Sequence, residues 1–90
     1  MSSAPVNLSY SEAALASLQS LPPKLRRQII EKIDRLTQNA RPPGCKLVQG
    51  VVDGDNPVYR IRQGDYRALY VLRDDGIVVL DIDHRKDVYR

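Results

Sequence analysis

The residues that could do chemistry in this chain concentrate in its final third. Arg60, Arg62, Arg67 and Arg85 fall within residues 58 to 90, and His84 and Tyr89 flank Arg85. Guanidiniums stay protonated and fork onto phosphate oxygens. Grouped together, they bind a phosphodiester and stabilise the extra negative charge of its transition state. RNA brings its own nucleophile, the 2′-hydroxyl, so a protein that holds the backbone in line can cleave it without a metal ion. Orientation alone is worth about 7–11 kcal/mol in favourable cases. His84 is a candidate for proton transfer, set against the alternative of a hydrogen-bonded structural histidine. Tyr89 could stack on a base or move a proton with its pKa lowered by nearby arginines.

Positioning these groups requires a sheet. Residues 58 to 90 hold three runs rich in Val, Ile, Leu and Tyr, separated by Gly64-Asp65 and Asp74-Asp75-Gly76. That pattern predicts an antiparallel three-stranded meander. A two-residue Gly64-Asp65 loop sets Arg62 opposite Arg67, Ile61 opposite Ala68 and Tyr59 opposite Tyr70. Alternation then gives Tyr59, Ile61, Ala68, Tyr70 and Leu72 to one face and Arg60, Arg62 and Arg67 to the other. For the second turn, a three-residue loop closed by a left-handed Gly76 keeps Asp81 out of the core. It sets Arg73 opposite Ile77, gives Val78, Leu80 and Ile82 to the core face, and leaves Ile77, Val79, Asp81, Asp83 and Arg85 on the arginine face. Arg85 would then lie about 7–8 Å from Arg67, diagonally across the strands. Like charges placed opposite one another destabilise a sheet. Two readings stand: an anion site, or a solvated basic face with Asp81 and Asp83 as counter-charges. Leu69, Val71, Ile77 and Val79 form an apolar patch beside the arginines, a candidate partner surface unless the N-terminal strand or the tail covers it.

The first half of the chain must cover the other face of the sheet. Val6 to Tyr10 alternates as a short strand, and Ser9 or Ser11 can cap a helix running to Leu21. Pro22-Pro23 breaks it. Lys24 to Asn39 then presents Leu25, Ile29, Ile33 and Leu36 as one apolar stripe. The basic residues on that helix read as a solvated face or as a secondary contact with nucleic-acid backbone. Lys46-Leu47-Val48 is a short extended piece, and Gln49 to Pro57 reads as a turn-rich connection. The fold class is α+β: an N-terminal strand, a two-helix hairpin, then a three- to four-stranded antiparallel meander with the helices on one face.

Ninety residues with a formal net charge of +3 suit one small domain, residues 1–90. Lys and Arg outnumber Asp and Glu by five to three in residues 1–40 and nine to eight in residues 41–90, so any nucleic-acid site must come from local placement. One cysteine, Cys45, and one histidine argue against a disulfide, a zinc cluster or any metal site. No cofactor motif is present, and no apolar run or leader suggests a membrane. A cytoplasmic protein is the expectation.

Taken together, KLVQG (46–50), YRIRQGDYRALYVL (59–72) and HRKDVYR (84–90) resemble the RelE toxins of the RelE/ParE superfamily, and the resemblance spans nearly the whole chain. It implies a toxin of a type II toxin–antitoxin pair that enters the ribosomal A site and cuts mRNA through the 2′-hydroxyl, without metal. It also implies a cognate antitoxin that blocks the basic face, and a toxin that is monomeric on its own. Residue by residue, the family's basic pair before the hairpin turn falls on Arg60 and Arg62, where the best-studied members carry lysines. The arginine after the turn falls on Arg67, the late-strand arginine on Arg85 and the C-terminal tyrosine on Tyr89. A histidine near the C-terminus in related mRNA-cleaving toxins points to His84. The competing readings are a ParE-like toxin that poisons DNA gyrase without nuclease chemistry, and a non-toxic interaction module on the same scaffold.

Overall fold

The structure is a computed structural model and describes residues 7–84. Its elements follow the expected order: β1 (Asn7–Tyr10), α1 (Glu12–Gln19), α2 (Pro23–Asp34), a 3-10 turn (Arg35–Thr37), β2 (Lys46–Asp53), β3 (Asn56–Gln63), β4 (Tyr66–Arg73) and β5 (Gly76–His84). The strands form one sheet in the order β1-β5-β4-β3-β2. β2 to β5 are an antiparallel meander, and β1 pairs in parallel with β5. Among the described residues, no helix is long and apolar enough to cross a membrane.

The helical hairpin is held by its polar ends as well as its apolar faces. Ser11 caps α1 by accepting from the Ala14 amide at 3.0 Å. At the other end of α1, the Arg26 side chain reaches back from α2 and donates to the Leu18 and Leu21 carbonyls, both at 3.0 Å. A cation there satisfies orphan carbonyls and complements the helix dipole. Pro23 opens α2, where a missing amide costs nothing. Ile29, Ile33 and Leu36 then bury against Ile61, Ala68, Tyr70, Ile77, Val79 and Ile82 of the sheet. Tyr70 is fully buried and donates its hydroxyl to the Ala40 carbonyl at 2.8 Å, tying the chain after α2 to the sheet. Burial first, and Cys45 next, push the Tyr70 pKa up, so the hydroxyl stays a donor.

The first hairpin has the expected register, with Gln63 opposite Tyr66, Arg62 opposite Arg67 and Tyr59 opposite Tyr70. Gly64 takes a φ of +62°, as a Gly-first primed turn requires. A second hairpin of the same length, around Gly54-Asp55, replaces the expected turn-rich connection and extends β2 to Asp53. There Asp53 forms an ion pair with Arg73.

The second meander turn departs from expectation in its first half. Arg73 pairs with Gly76 across a two-residue Asp74-Asp75 loop, and Leu72, Val71 and Tyr70 pair with Ile77, Val78 and Val79. Between Tyr70 and Leu69 the register shifts by one, so Asp81, Ile82, Asp83 and His84 stand opposite Leu69, Ala68, Arg67 and Tyr66. Leu80 is the extra residue of a β-bulge. The outer pairs therefore match the three-residue-loop register, and the inner pairs do not. Ile77 and Val79 consequently belong to the helix-covered core, 2% and 0% exposed, and Val78 and Leu80 do not. Val71 is on the arginine side by alternation but is buried, and Leu69 is half-buried. The expected exposed patch of Leu69, Val71, Ile77 and Val79 is therefore not formed, because the bulge inverts the faces of the β5 residues before it.

Gly76 fits where β1 docks: with a φ of +151°, a Cβ there would lie 2.4 Å from the Asn7 carbonyl oxygen. Ser11 anchors the other side of the bulge. Its amide donates to the Val79 carbonyl at 2.9 Å and its hydroxyl to the Leu80 carbonyl at 2.6 Å.

Two sets of substitutions test this arrangement. Ser11→Ala removes the α1 cap and leaves the Leu80 carbonyl without its donor, so urea unfolding should show a loss of about 1–3 kcal/mol. An unchanged midpoint would contradict the anchoring role. The two buried tyrosine hydroxyls should behave in opposite ways. Tyr70→Phe should cost about 1 kcal/mol through its hydrogen bond. Tyr10→Phe should be neutral or stabilising at pH 7, because its buried hydroxyl finds no partner among the described residues. Burial, with Asp34 adding to it, raises the Tyr10 pKa from 10.0 to about 12. The folded state therefore keeps a proton that the unfolded state has given up, and stability falls as pH rises from about 10 to about 12. Alkaline unfolding curves should be shallower in that window for Tyr10→Phe.

Candidate functional site

β3 carries two cations on alternate positions, Arg60 half-buried and Arg62 exposed. Beside them β2 begins at Lys46, which is the direct cross-strand partner of Arg60. Lys32 comes from α2, and the loop before β2 contributes Pro43 and Gly44. Together with Ile61 these residues line an open groove of about 340 Å³, and none of the lining residues is acidic. That size falls in the range of ligand-binding clefts. Lys46 and Arg60 are like charges placed directly across the strands, which destabilises a sheet, and none of the four cations has an ion pair among the described residues. Next to the groove, Arg41 lies over the Tyr59 ring, 5.9 Å from its centroid, and Tyr59 stacks on Tyr70.

Arg67 is arranged differently. It faces Arg62 on one side, as expected, but on the other side it faces Asp83. Its Nε donates to one carboxylate oxygen of Asp83 at 3.1 Å and its Nη2 to the other at 3.3 Å. The Arg67 side chain is only 8% exposed. Arg67 is thus paired with Asp83, one of the two expected counter-charges, whereas Arg60 and Arg62 have no ion pair among the described residues.

His84 is at the end of β5 opposite Tyr66, with their rings edge to face at 4.8 Å. It borders a second cleft with Ser17, Ser20, Pro22 and Asp81, on the side where the helices pack. Among the described residues it is on the face of Tyr66 and Ile82, opposite to that of Arg62 and Arg67. Arg85 and Tyr89 lie outside the described residues. By sequence alone Lys46 belongs only to a short extended piece, because Gln49 to Pro57 reads as a turn-rich connection rather than as a hairpin. Gly54-Asp55 repeats the Gly64-Asp65 turn and signals a β2–β3 hairpin, but an unbroken ladder from that turn would set Lys46 opposite Gln63, and the irregularity between Leu47 and Val52 brings it opposite Arg60 instead. Lys32 shows no distinguishing signal on a helix surface rich in Lys and Arg.

Comparison with known proteins agrees with this architecture. The profile of the family described as "ParE toxin of type II toxin-antitoxin system, parDE" matches residues 8–89. The chain is 33% identical to the putative toxin RelE1 of Methanocaldococcus jannaschii over 86 residues, covering 93% of this chain and 94% of the relative. It is 28% identical to toxin RelG of Mycobacterium tuberculosis over 89 residues, covering 96% and 98%. Its fold superposes on the archaeal RelE–RelB complex of Pyrococcus horikoshii with a TM-score of 0.75 and 29% identity, covering 91% of this chain and 97% of the other. A profile match across nearly all of the sequence and full-length similarity to named toxins, on a shared sheet-and-hairpin scaffold, establish that the chain belongs to the ParE toxin family of type II toxin–antitoxin systems, within the RelE/ParE superfamily.

Proposed function

We propose that this toxin is a ribosome-dependent endoribonuclease that cuts mRNA in the A site and is neutralised by a cognate antitoxin. The observation that carries the reading is the cationic groove on β3, where Arg60 and Arg62 stand with Lys46 and Lys32 and no acidic side chain lines the walls. The superposition on a RelE–RelB complex supports an antitoxin as partner. Similarity to proteins named RelE1 and RelG supports the RelE-type branch of the superfamily.

In this reading the groove grips the mRNA backbone and holds one linkage in line. The 2′-oxygen attacks the adjacent phosphorus, a new O–P bond forms, and the bond to the 5′-oxygen of the next nucleotide breaks. The products are a 2′,3′-cyclic phosphate and a 5′-hydroxyl. Arg60 and Arg62 stabilise the negative charge that builds on the non-bridging oxygens. Arg67 completes the cationic face from β4. Arg85 continues this set and Tyr89 takes part in base stacking or proton transfer, roles that rest on the resemblance of HRKDVYR to RelE. His84, turned toward Tyr66 and the helices, is not assigned a part in the bond-breaking step. Arginine is a poor proton donor. Arg60 and Arg62 therefore act through charge, the 2′-proton passes to a neighbouring titratable group or water, and the departing 5′-oxygen takes up a proton from the same pool to leave as the hydroxyl.

The second reading, a toxin that poisons DNA gyrase, is favoured by the profile match to the ParE toxin description. Translation of a defined mRNA with purified protein, followed by mapping of 5′ ends, separates the two. Codon-positioned cuts are expected. Arg60→Ala and Arg62→Ala should each lower the cleavage rate by about 100-fold or more. Arg62 is exposed, so its variant should retain the parent unfolding midpoint. Intact mRNA together with gyrase-dependent breaks in supercoiled DNA would sink the nuclease reading.

A further inference from the structure

We infer that Asp83 is a positioning residue for the nuclease chemistry, acting through Arg67. The inference rests on the nuclease reading above and extends it to a residue that touches no substrate.

A lone arginine on a strand can adopt many rotamers, and fixing one costs entropy at the moment of binding. Arg67 meets that cost within the fold. Its Nε and Nη2 are both engaged by the two Asp83 oxygens, which is side-on, two-point geometry. This holds the plane of the guanidinium and leaves Nη1 as the nitrogen without a described partner in that pair. The clamp is well shielded, with side-chain exposures of 8% for Arg67 and 26% for Asp83. In so little water a charge pair keeps its geometry better than an exposed pair does. Asp83 also neutralises Arg67 beside Arg62, its other cross-strand neighbour, so the two arginines can sit together before any RNA arrives.

The backbone shows where this pairing comes from. Continued without interruption, the register set by the Asp74-Asp75 turn would place Ile82 opposite Arg67. The bulge at Leu80 adds one residue and delivers Asp83 instead.

A positioning residue and a structural residue differ in what they do to rate and to binding. Single-turnover cleavage of mRNA on programmed ribosomes, with toxin titrated to saturation, reads both. For Asp83→Asn the saturated rate should fall about 10- to 100-fold, because a misplaced guanidinium loses in-line orientation. The half-saturating concentration should stay level or fall, because the variant carries one more net positive charge toward RNA. Asp83→Glu keeps the charge and shifts the carboxylate by one methylene, so it should fold as the parent does by circular dichroism and lose less rate than Asp83→Asn. In an Arg67→Ala background, adding Asp83→Asn should cause no further loss. A parent-like rate for both Asp83 variants overturns the inference alone, and so does an equal loss with and without Arg67. If Asp83→Asn does not fold, Asp83→Glu decides, and a parent-like rate for it counts against the inference. A parent protein that cuts no mRNA overturns the nuclease reading and the inference with it.

Discussion

One extra residue in β5 reconciles two demands that the chain cannot meet with a regular ladder. The Asp74-Asp75 loop fixes the register beside the turn, and burial of Ile77 and Val79 depends on that register. Continued to the end of the strand, the same register would set Asp81 opposite Ala68, on the core face. Leu80 breaks the ladder between these two stretches. A bulge leaves backbone groups without ladder partners. Ser11 supplies the donors for the Val79 and Leu80 carbonyls, and with the same hydroxyl it accepts from the first turn of α1. The start of the helical hairpin, the change of face along β5 and the pairing of Arg67 thus meet at one serine.

The cationic face that results has two parts with different physical character. Arg67 is shielded and already balanced by a carboxylate. Lys32, Lys46, Arg60 and Arg62 surround an open groove with no acidic lining. A pre-balanced arginine is held in a fixed direction, whereas unbalanced cations attract an anion over distances up to the Debye length, about 8 Å at physiological ionic strength. The same imbalance raises the local concentration of any anionic ligand at the groove. β2, at the sheet edge beside it, exposes Leu47, Val51 and Val52.

Much of this was legible in the residues themselves. The order of elements, the helix stripes and the first hairpin follow from apolar periodicity and from Gly64-Asp65, because local pattern and tertiary packing agree there. The arginines of β3 and β4 fell on one face for the same reason. The β5 bulge was not legible. Parity arguments assume an unbroken ladder, and one unpaired residue changes the answer for every position before it. That is why Val78 and Leu80 were exchanged with Ile77 and Val79, while Ile82 and Asp83 were placed correctly. The groove was missed for a different reason. Lys46 gains significance only once β2 is known to pair with β3, and that pairing is interrupted between Leu47 and Val52.

The parallel pairing of β1 with β5 has a consequence for the order of folding. Asn7 bonds to Asp75 and Ser11 to Leu80, partners 68 and 69 residues apart. The meander, by contrast, closes through loops of two residues. Loop-closure entropy grows with the logarithm of the separation, and long-range contacts form late. During synthesis the first strand must therefore wait, with its hydrogen-bonding groups in water, until β5 has been made, although the local Ser11–Ala14 cap of α1 can form earlier. The cationic surface on β3 and β4 can assemble before the sheet is closed by its own beginning.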